Sequence, residues 1–346
     1  SVLGKFSKNM SDIEKMLIDV FTISSTSTSL DKTSTILSFR VPLSADKKLV
    51  DTIISAYNIF AKITPTPKIG LVIDYEKGKV ADHSEILSQT ISLGGNVTFS
   101  KGVCSTNAIR NSSKSTEPSI KLGSLSINLP RLALESSKDE TYFRARLVLL
   151  MKPAIAAMAT RKKDVSDLIR RGVNPILAEK TQFMQKNNLS LILNLVGLQE
   201  AVYKILGHKD DKEGKEILNK VLETAVDIAH KKGQEMGIDV SIAMVASDEL
   251  TRFVTLDSEK YGKTSIMDVI EGDLYSQGLE LNTADLDKST AKSEIISEYN
   301  KISKTLDGGL LIKLPFDVKA KDADIKKTIE KASSLISSFK PIKNSN

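Results

Sequence analysis

Two residues of this sequence stand where their side chains could do chemistry. The first is Cys104, the only cysteine in 346 residues, which lies in the polar segment FSKGVCSTNAIRNSSKS. The second is Asn128, which closes the β-like run GSLSIN just before Pro130 and Arg131. A lone cysteine excludes an internal disulfide and any all-cysteine zinc site within the chain, because such sites need further cysteines. What remains is a reactive thiol or a small buried hydrophobe, and an asparagine that needs a ligand or a neighbour to satisfy its amide.

The three histidines and the carboxylates give less indication of a catalytic site than Cys104 and Asn128 do. His83, His208 and His230 fall on predicted helix ends or faces, and we expect them to be structural or exposed. The carboxylates are plentiful but scattered. No histidine stands with an aspartate and serine, or with the cysteine, at a spacing typical of nucleophilic catalysis. Acid–base enzymology is therefore the least supported class of function.

Composition limits the partners. The formal charge is +6, with 40% hydrophobic and 27% charged residues, which is ordinary for a globular protein. The modest basic excess suits an anionic ligand such as a nucleotide. Tryptophan is absent and aromatic residues make up 5%, so we expect no nucleic-acid partner. No apolar window reaches the length of a membrane span, so we expect no membrane association, and the single cysteine favours a reducing cytoplasm.

Strands and helices alternate along the chain, and these elements must position Cys104 and Asn128. Helices are predicted at 5–21 with Ser11 as the cap, 49–63, 83–93, 142–159, 165–184, 200–206, 215–236 and 322–339. Strands are predicted at ILSFRVPL, PKIGLVIDY, LSINL, LSLILNLVGL, DVSIAMVA and GGLLIKLPF. The alternation indicates a single α/β domain over residues 1–346, barrel-like, with a mostly parallel sheet and packed helices.

Several of these segments resemble the anaerobic ribonucleotide reductases, the glycyl-radical class that reduces ribonucleotides. The run SINLPR is similar to that family's VSINLPR strand, and LNLVGLQEAVYKILGH at 193–208 is similar to its NLVGLNEAV motif followed by TGH. In weaker form, ITPTPKIGLVI and DGGLLIKL resemble its TP-x-P-K segment and its late Gly-Gly strand. The resemblance covers roughly residues 30–346, and two motifs in the right order are more specific than either alone.

The resemblance implies a fold and two site residues. The fold is a glycyl-radical-type α/β barrel, here partial, with a finger loop that carries a cysteine at its tip. Cys104 would be that cysteine, whose thiyl radical abstracts the ribose 3′ hydrogen, and Asn128 would hydrogen-bond the ribose hydroxyls. Pro130 would end ladder pairing after the last useful residue of the strand.

The sequence also departs from the family's pattern. We find no radical glycine, no zinc-binding cysteines and no nucleotide-sensing cone domain in these 346 residues. Ser247, in VASDELTR, falls where the family's motif has a glutamate. We therefore expect a chain that is not self-sufficient in catalysis, either because it is a fragment or split subunit or because it is a shortened paralogue.

The sequence supports two hypotheses that belong to different classes of function. The first is a ribonucleotide-reductase-related protein that binds a ribonucleotide, alone, as a homodimer or with a separate glycyl-radical subunit. The alternative is a non-catalytic interaction or regulatory paralogue built on the same scaffold. Neither hypothesis involves a bound cofactor or a metal ion.

Overall fold

A computed structural model describes most of the chain. The described residues are 9–26, 38–64, 69–76, 78–102, 104–110, 120–173, 189–207, 212–267, 270, 273–286 and 291–343. No helix within these ranges is both long and apolar enough to cross a membrane. The chain divides into two compact units, the first formed by residues 1–109, 279–300 and 311–346 and the second by residues 110–278 and 301–310.

Helices and strands alternate, as predicted. The helices are α1 (Met10–Thr26), α2 (Lys47–Ile63), α3 (Ser84–Ser92), α4 (Leu129–Glu135), α5 (Glu140–Arg170), α6 (Leu198–Leu206), α7 (Lys212–Glu235), α8 (Leu250–Tyr261), α9 (Lys263–Met267), α10 (Ala291–Thr305) and α11 (Asp322–Leu335). The strands are β1 (Ser38–Pro42), β2 (Gly70–Asp74), β3 (Val97–Ser100), β4 (Ile120–Asn128), β5 (Leu189–Val196), β6 (Val240–Met244), β7 (Leu279–Glu280), β8 (Gly309–Leu310), β9 (Ile312–Phe316) and β10 (Ser338–Lys343).

The first unit is built on a six-stranded sheet in the order β1-β2-β3-β10-β9-β7. Its strands pair in parallel except for β3 and β10, which run antiparallel. One face is apolar, with Leu71, Ile73, Phe99 and Phe339 buried on it, and the rings of Phe99 and Phe339 stack 4.7 Å apart. Side chains alternate along a strand, and register partners lie on the same face of the sheet. The register pairs therefore also identify the residues on the opposite face. It carries mainly polar residues.

We call that surface the polar face of the first unit. Its polar residues alternate with the apolar face along the six strands: they are Ser38, Arg40, Asp74, Thr98, Ser100, Glu280, Lys313, Ser338 and Lys340.

The second unit is built on a four-stranded parallel sheet in the order β4-β5-β6-β8. All eight residues of β5 are buried, as expected for a central strand of a parallel sheet. One face again carries small and polar residues, since Ser126 is the register partner of Asn194, and Asn194 is the partner of Ala243. The carboxyl ends of β4, β5 and β6 therefore meet at one edge of this sheet.

The α/β class is confirmed. The ten described strands form two sheets and do not close into one ring, so no complete barrel is seen in the described ranges. The expectation of a single domain over residues 1–346 remains a prediction. The structure divides the chain into two compact units.

Several predicted boundaries are wrong. Residues 142–159 and 165–170 belong to one helix of 31 residues, because the intervening TRKKD has no breaker and its lysines and arginine favour helix. The part of the prediction at 174–184 lies outside the described residues. Asn9, not Ser11, caps α1: its side-chain oxygen accepts a hydrogen bond from the Ser11 backbone N–H at 3.1 Å.

The predicted C-terminal helix is also too long. It ends at Leu335, and Ile336 is already extended at φ −115° and ψ 145°. The chain then enters β10, which sequence analysis missed because Pro341 argues against an inner strand. The structure accommodates Pro341 because β3 pairs only with Ser338 and Phe339, so that beyond this point β10 has a single neighbour, β9.

Candidate functional site

Cys104 lies in the connection between β3, a strand that the sequence analysis did not predict, and β4. The residue is partly buried, and its Sγ donates to the backbone oxygen of Ser105 at 3.2 Å. A tight turn follows, in which Ser105 N–H donates to Ile109 O at 2.9 Å and Ala108 N–H donates to Ser105 O at 2.8 Å. Ala108 adopts a left-handed conformation with φ 61°. The thiol is thus presented from a compact turn.

Thr106 anchors this turn to the polar face of the first unit. It is completely buried, and its N–H donates to Ser38 Oγ at 2.9 Å. Its carbonyl accepts from Thr98 Oγ1 at 2.9 Å. A Cβ at Gly70 would come within 2.2 Å of Thr106 Cγ2, so the absence of a side chain at Gly70 lets the turn approach the sheet. These contacts fix the backbone two residues beyond Cys104.

Charged groups flank the same turn. Arg40 forms an ion pair with Asp74, whose other oxygen accepts from Gly102 N–H at 3.0 Å. Lys340 Nζ lies 3.4 Å from the Thr106 carbonyl. Burial lowers the pKa of Lys340, and the positive charge of its register partner Lys313 lowers it further.

Asn128 ends β4, and its side chain caps α4. The amide oxygen accepts from Arg131 N–H at 3.2 Å, the arrangement expected of an N-cap asparagine. Its amide nitrogen donates to Asp257 Oδ2 at 2.7 Å. Pro130 stands in the first turn of α4, where it has no backbone hydrogen bond to lose. The proline therefore starts a helix as well as ending strand pairing, and neighbours satisfy both ends of the amide.

Asp257 is the centre of a buried polar cluster. This carboxylate on α8 is fully buried and accepts from the guanidinium of Arg131 as well as from Asn128. Tyr275 Oη donates to it at 2.8 Å. Burial raises the pKa of Tyr275, and the adjacent Asp257 raises it further, so the phenol stays protonated as a donor. We call Asn128, Arg131, Asp257 and Tyr275 the Asp257 cluster.

The NLVGLQEA motif shapes the neighbouring part of this edge. Gly197 joins β5 to α6 with φ 72°, and its N–H donates to Ser276 O at 3.0 Å. Glu200, which is buried, accepts from Ser276 N–H and Ser276 Oγ at 2.6 Å each. Glu200 thereby fixes the backbone next to Tyr275. The motif thus positions a partner of the Asp257 cluster.

Ser247 lies beyond the carboxyl end of β6, on the same side as Ser126. The two hydroxyl oxygens are 2.9 Å apart, and Ser247 N–H donates to Gln277 Oε1 at 3.1 Å. Where the resemblance leads one to expect a glutamate, this chain has a small hydroxyl hydrogen-bonded to β4.

The histidines pair with carboxylates away from these residues. His83 Nδ1 is 2.7 Å from Asp51 Oδ1, and His230 Nε2 is 2.8 Å from Asp307 Oδ2. His208 lies outside the described residues. Within the described ranges, no group of three or more His, Cys, Asp or Glu side chains could hold a metal ion.

Asn128 and Cys104 belong to different compact units, Cys104 to the first and Asn128 to the second. Sequence analysis missed the partners of Asn128. Arg131 could have been found, since it follows Asn128 in the LPR motif. Asp257 carries no such signal, because its contact with Asn128 depends on tertiary packing across 129 residues of chain. Tyr275 carries none either, since it reaches this cluster only through Asp257.

The model of the family described as anaerobic ribonucleoside-triphosphate reductase matches residues 49–336. The chain belongs to this family. The predicted resemblance is confirmed. A relative with the same description from Haemophilus influenzae is 29% identical over 181 residues, which covers 48% of this chain and 25% of the relative. The chain thus matches about a quarter of that relative's length.

Solved structures share the fold. The anaerobic ribonucleotide reductase from Thermotoga maritima in complex with dATP and CTP has a TM-score of 0.67 at 16% identity, covering 96% of this chain and 61% of that one. The B12-independent glycerol dehydratase from Clostridium butyricum has a TM-score of 0.62 at 10% identity, covering 98% of this chain and 56% of that one. The α/β fold of the anaerobic reductases is therefore the fold of this chain.

One ion-pair cluster next to the site makes stability depend on pH. Glu135, at the end of α4, accepts from Arg146 at 2.8 Å, Lys260 at 3.0 Å and Tyr261 at 3.1 Å. The hydrogen bond from Arg146 is the main reason why the pKa of Glu135 falls from 4.5 to about 2. A carboxyl with a depressed folded-state pKa stabilises the fold above its unfolded pKa, and this contribution is lost as pH falls.

We expect Glu135→Gln to flatten the acid limb of the stability curve. In the unmodified chain the Glu135 contribution is complete above pH 4.5 and disappears toward pH 2, whereas glutamine has no proton to gain. Urea unfolding between pH 6 and pH 2 measures the difference. Glu249→Gln is the control, because Glu249 pairs only with the exposed Arg252 among the described residues. Equal pH slopes for the two variants would contradict the prediction.

Proposed function

We propose that this chain binds a ribonucleotide at the carboxyl edge of the four-stranded sheet, with the Asn128 amide contacting the ribose hydroxyls. The observation that carries the proposal is the position of Asn128. It is a half-buried polar side chain at the carboxyl end of a parallel strand, beside Arg131. Ligands of open α/β sheets bind at this edge. The Thermotoga maritima relative was crystallised with dATP and CTP, which supports the choice of ligand class.

The proposal also includes a catalytic role for Cys104, in addition to ribonucleotide binding. We assign Cys104 as the thiol that would abstract the ribose hydrogen, supported by its place in a turn held by Thr106. A sulfur atom suits this step because its S–H bond is close in strength to the C–H bond that breaks. The radical itself would come from a glycine outside these 346 residues, either in further sequence or in a separate subunit.

A second candidate is the non-catalytic interaction or regulatory paralogue. One observation favours it: the oxygen and the nitrogen of the Asn128 amide both have partners within the chain. In this case Asn128 is a helix cap and a hydrogen-bond donor to Asp257, and Cys104→Ser leaves every activity unchanged.

Calorimetric titration of ribonucleoside di- and triphosphates tests the proposal. We expect measurable binding by the unmodified chain and a loss of at least tenfold in affinity for Asn128→Ala, equivalent to about 1.4 kcal/mol. The substitution also removes a helix cap, which costs about 1 kcal/mol of stability. Thermal unfolding must therefore show that the variant is folded at the titration temperature.

Tyr275→Phe is the matched control. It removes another hydrogen bond to Asp257, at 2.8 Å, and leaves the Asn128 amide in place. We expect its nucleotide affinity to stay within about twofold of the unmodified chain. An equal loss for both variants would mean that Asn128 acts only through the Asp257 cluster. No binding of any nucleotide would favour the second candidate.

We also propose a cytoplasmic location and association with a second copy or a glycyl-radical subunit. Cys104, the only cysteine of the sequence, forms no disulfide within the chain, which supports a reducing compartment. Adjacent leucines on α5, Leu149 and Leu150, are 61% and 41% exposed, which supports a protein partner at this helix. Light scattering coupled to gel filtration measures the mass of the complex.

A further inference from the structure

The long helix α5 exposes an apolar surface to solvent. Tyr142 and Leu149 are 48% and 61% exposed. The exposed residues from Tyr142 to Thr160 carry one charge among them, that of Lys152. Lys152 leaves this surface on the side of α7, where it lines a small cavity together with Glu235. A contiguous exposed apolar surface of this kind marks an interaction site.

The spacing of the exposed residues is the same in both directions along α5. Six exposed residues follow one another at intervals of 3, 4, 4, 4 and 3 positions, which keeps them on one face of the helix. We call them the α5 stripe: Tyr142, Ala145, Leu149, Pro153, Ala157 and Thr160.

The α5 stripe is complementary to itself. Its midpoint is position 151, so a second copy that lies antiparallel places each member opposite another member: Tyr142 opposite Thr160, Ala145 opposite Ala157 and Leu149 opposite Pro153. A two-fold contact between identical chains requires the same surface on both copies. The small alanine side chains allow the two helices to approach closely.

The charges at the two ends of the stripe are complementary in the same arrangement. Lys138 and Asp139 precede α5, and Lys163 and Asp164 lie beyond the stripe at its other end; all four are exposed. Antiparallel pairing about position 151 brings Lys138 to Asp164 of the second copy and Asp139 to Lys163. Parallel pairing would bring like charges together, which is unfavourable.

The arginines beside the stripe are neutralised within their own chain. Arg144 pairs with Glu140 at 3.1 Å, and Arg146 pairs with Glu135 at 2.8 Å. Two copies can therefore meet at the stripe without bringing uncompensated arginines together.

We propose that the α5 stripe binds a second copy of this chain, with the two α5 helices antiparallel about a two-fold axis at position 151. Apolar residues lie at the centre of this contact and ion pairs at its ends, as in other protein interfaces. The inference deepens the association proposed above, on which it rests, because it names a second copy as the partner and α5 as the contact.

Analytical ultracentrifugation of the full chain over a range of concentrations tests the interface. We expect a monomer–dimer equilibrium for the unmodified chain. Leu149→Glu places a charge at the apolar centre and should raise the dissociation constant of the dimer at least tenfold. Because Leu149 is exposed, we expect the variant to fold, which circular dichroism checks.

Leu335→Glu is the matched control. Leu335 is also an exposed leucine, at 37%, but it ends α11 in the first unit and is not part of the stripe. Its dissociation constant should stay within about twofold of that of the unmodified chain. An unmodified chain that stays monomeric, which would assign the stripe to a different subunit, overturns the proposal. Equal loss in the two variants overturns it as well.

An exchange of charges tests the antiparallel arrangement. Lys138→Glu and Asp164→Lys each place like charges opposite each other, so each should raise the dissociation constant about threefold. The double variant restores opposite charges and should return to within about twofold of the unmodified chain. Such non-additivity is expected of residues that interact. A double variant that shows the sum of the two losses would contradict the antiparallel register.

Nucleotide titration of the same variants separates this inference from ribonucleotide binding at Asn128. We expect Leu149→Glu to bind ribonucleotides, and Asn128→Ala to dimerise, within about twofold of the unmodified chain. Dimerisation of an unmodified chain that binds no nucleotide would support the interface and refute the proposed ligand. Nucleotide binding by an unmodified chain that stays monomeric would refute the interface alone.

Discussion

Replacing Arg131 by methionine is expected to lower the free energy of unfolding by about 3–5 kcal/mol. The guanidinium is the only cation that contacts Asp257 in the described ranges, and Asp257 is 0% exposed. The substitution leaves that carboxylate with Asn128 and Tyr275 as its hydrogen-bond donors. A buried charge without a counter-charge is among the most destabilising changes a single substitution can make. Urea unfolding followed by circular dichroism measures it.

Arg146→Met is the control for that prediction. Arg146 also donates to a carboxylate, Glu135, but its side chain is 42% exposed and water can replace the lost contact. We expect a much smaller effect. Adding Asp257→Asn to Arg131→Met should restore part of the lost stability, because the amide carries no charge. Equal effects of the two arginine substitutions would show that water reaches Asp257 as readily as it reaches Glu135.

Gly197→Ala is expected to cost about 2–5 kcal/mol through two separate causes. The left-handed backbone, with φ 72°, is unfavourable for any residue with a Cβ by about 1–2 kcal/mol. In addition, the new Cβ would lie 2.3 Å from Cγ of Pro130, a ring that cannot rotate away. Overpacking of this kind typically adds about 1–3 kcal/mol. The measurement is again the free energy of unfolding in urea.

Gly207→Ala measures the cost of the left-handed backbone conformation separately from the cost of the contact with Pro130. Gly207 stands at the other end of the same helix, α6, with φ 84°, and a Cβ added there would meet no atom of the described residues within 4 Å. It should lose only the conformational part, about 1–2 kcal/mol. The difference between the two variants is the cost of the contact with Pro130. A difference near zero would mean that α4 and α6 can move apart freely.

The sequence predicts the strands best where both faces are buried, as in β5, whose almost continuous apolar run is buried throughout. The LPR and NLVGLQEA motifs likewise mark the two segments that meet at the Asp257 cluster. What the sequence does not predict is the role of Asn128 as a cap, since capping depends on whether the chain turns into a helix after it. Asp257 lies on an ordinary amphipathic helix, and only packing turns it into the partner of Arg131.

The insertion of β10 between β3 and β9 has a consequence for how the chain is made. The six-stranded sheet draws three strands from residues 38–100 and the rest from residues after 278, so its β3–β10 pairing joins residues more than 200 positions apart. During synthesis, β3 emerges with an open edge that remains unpaired until the ribosome has delivered Ser338 and Phe339. Such non-local pairing is slow, and an exposed strand edge invites association with other chains. We therefore expect the sheet of the first unit to form more slowly than that of the second, in which β4, β5 and β6 follow one another within residues 120–244 and only β8 comes later, at Gly309–Leu310.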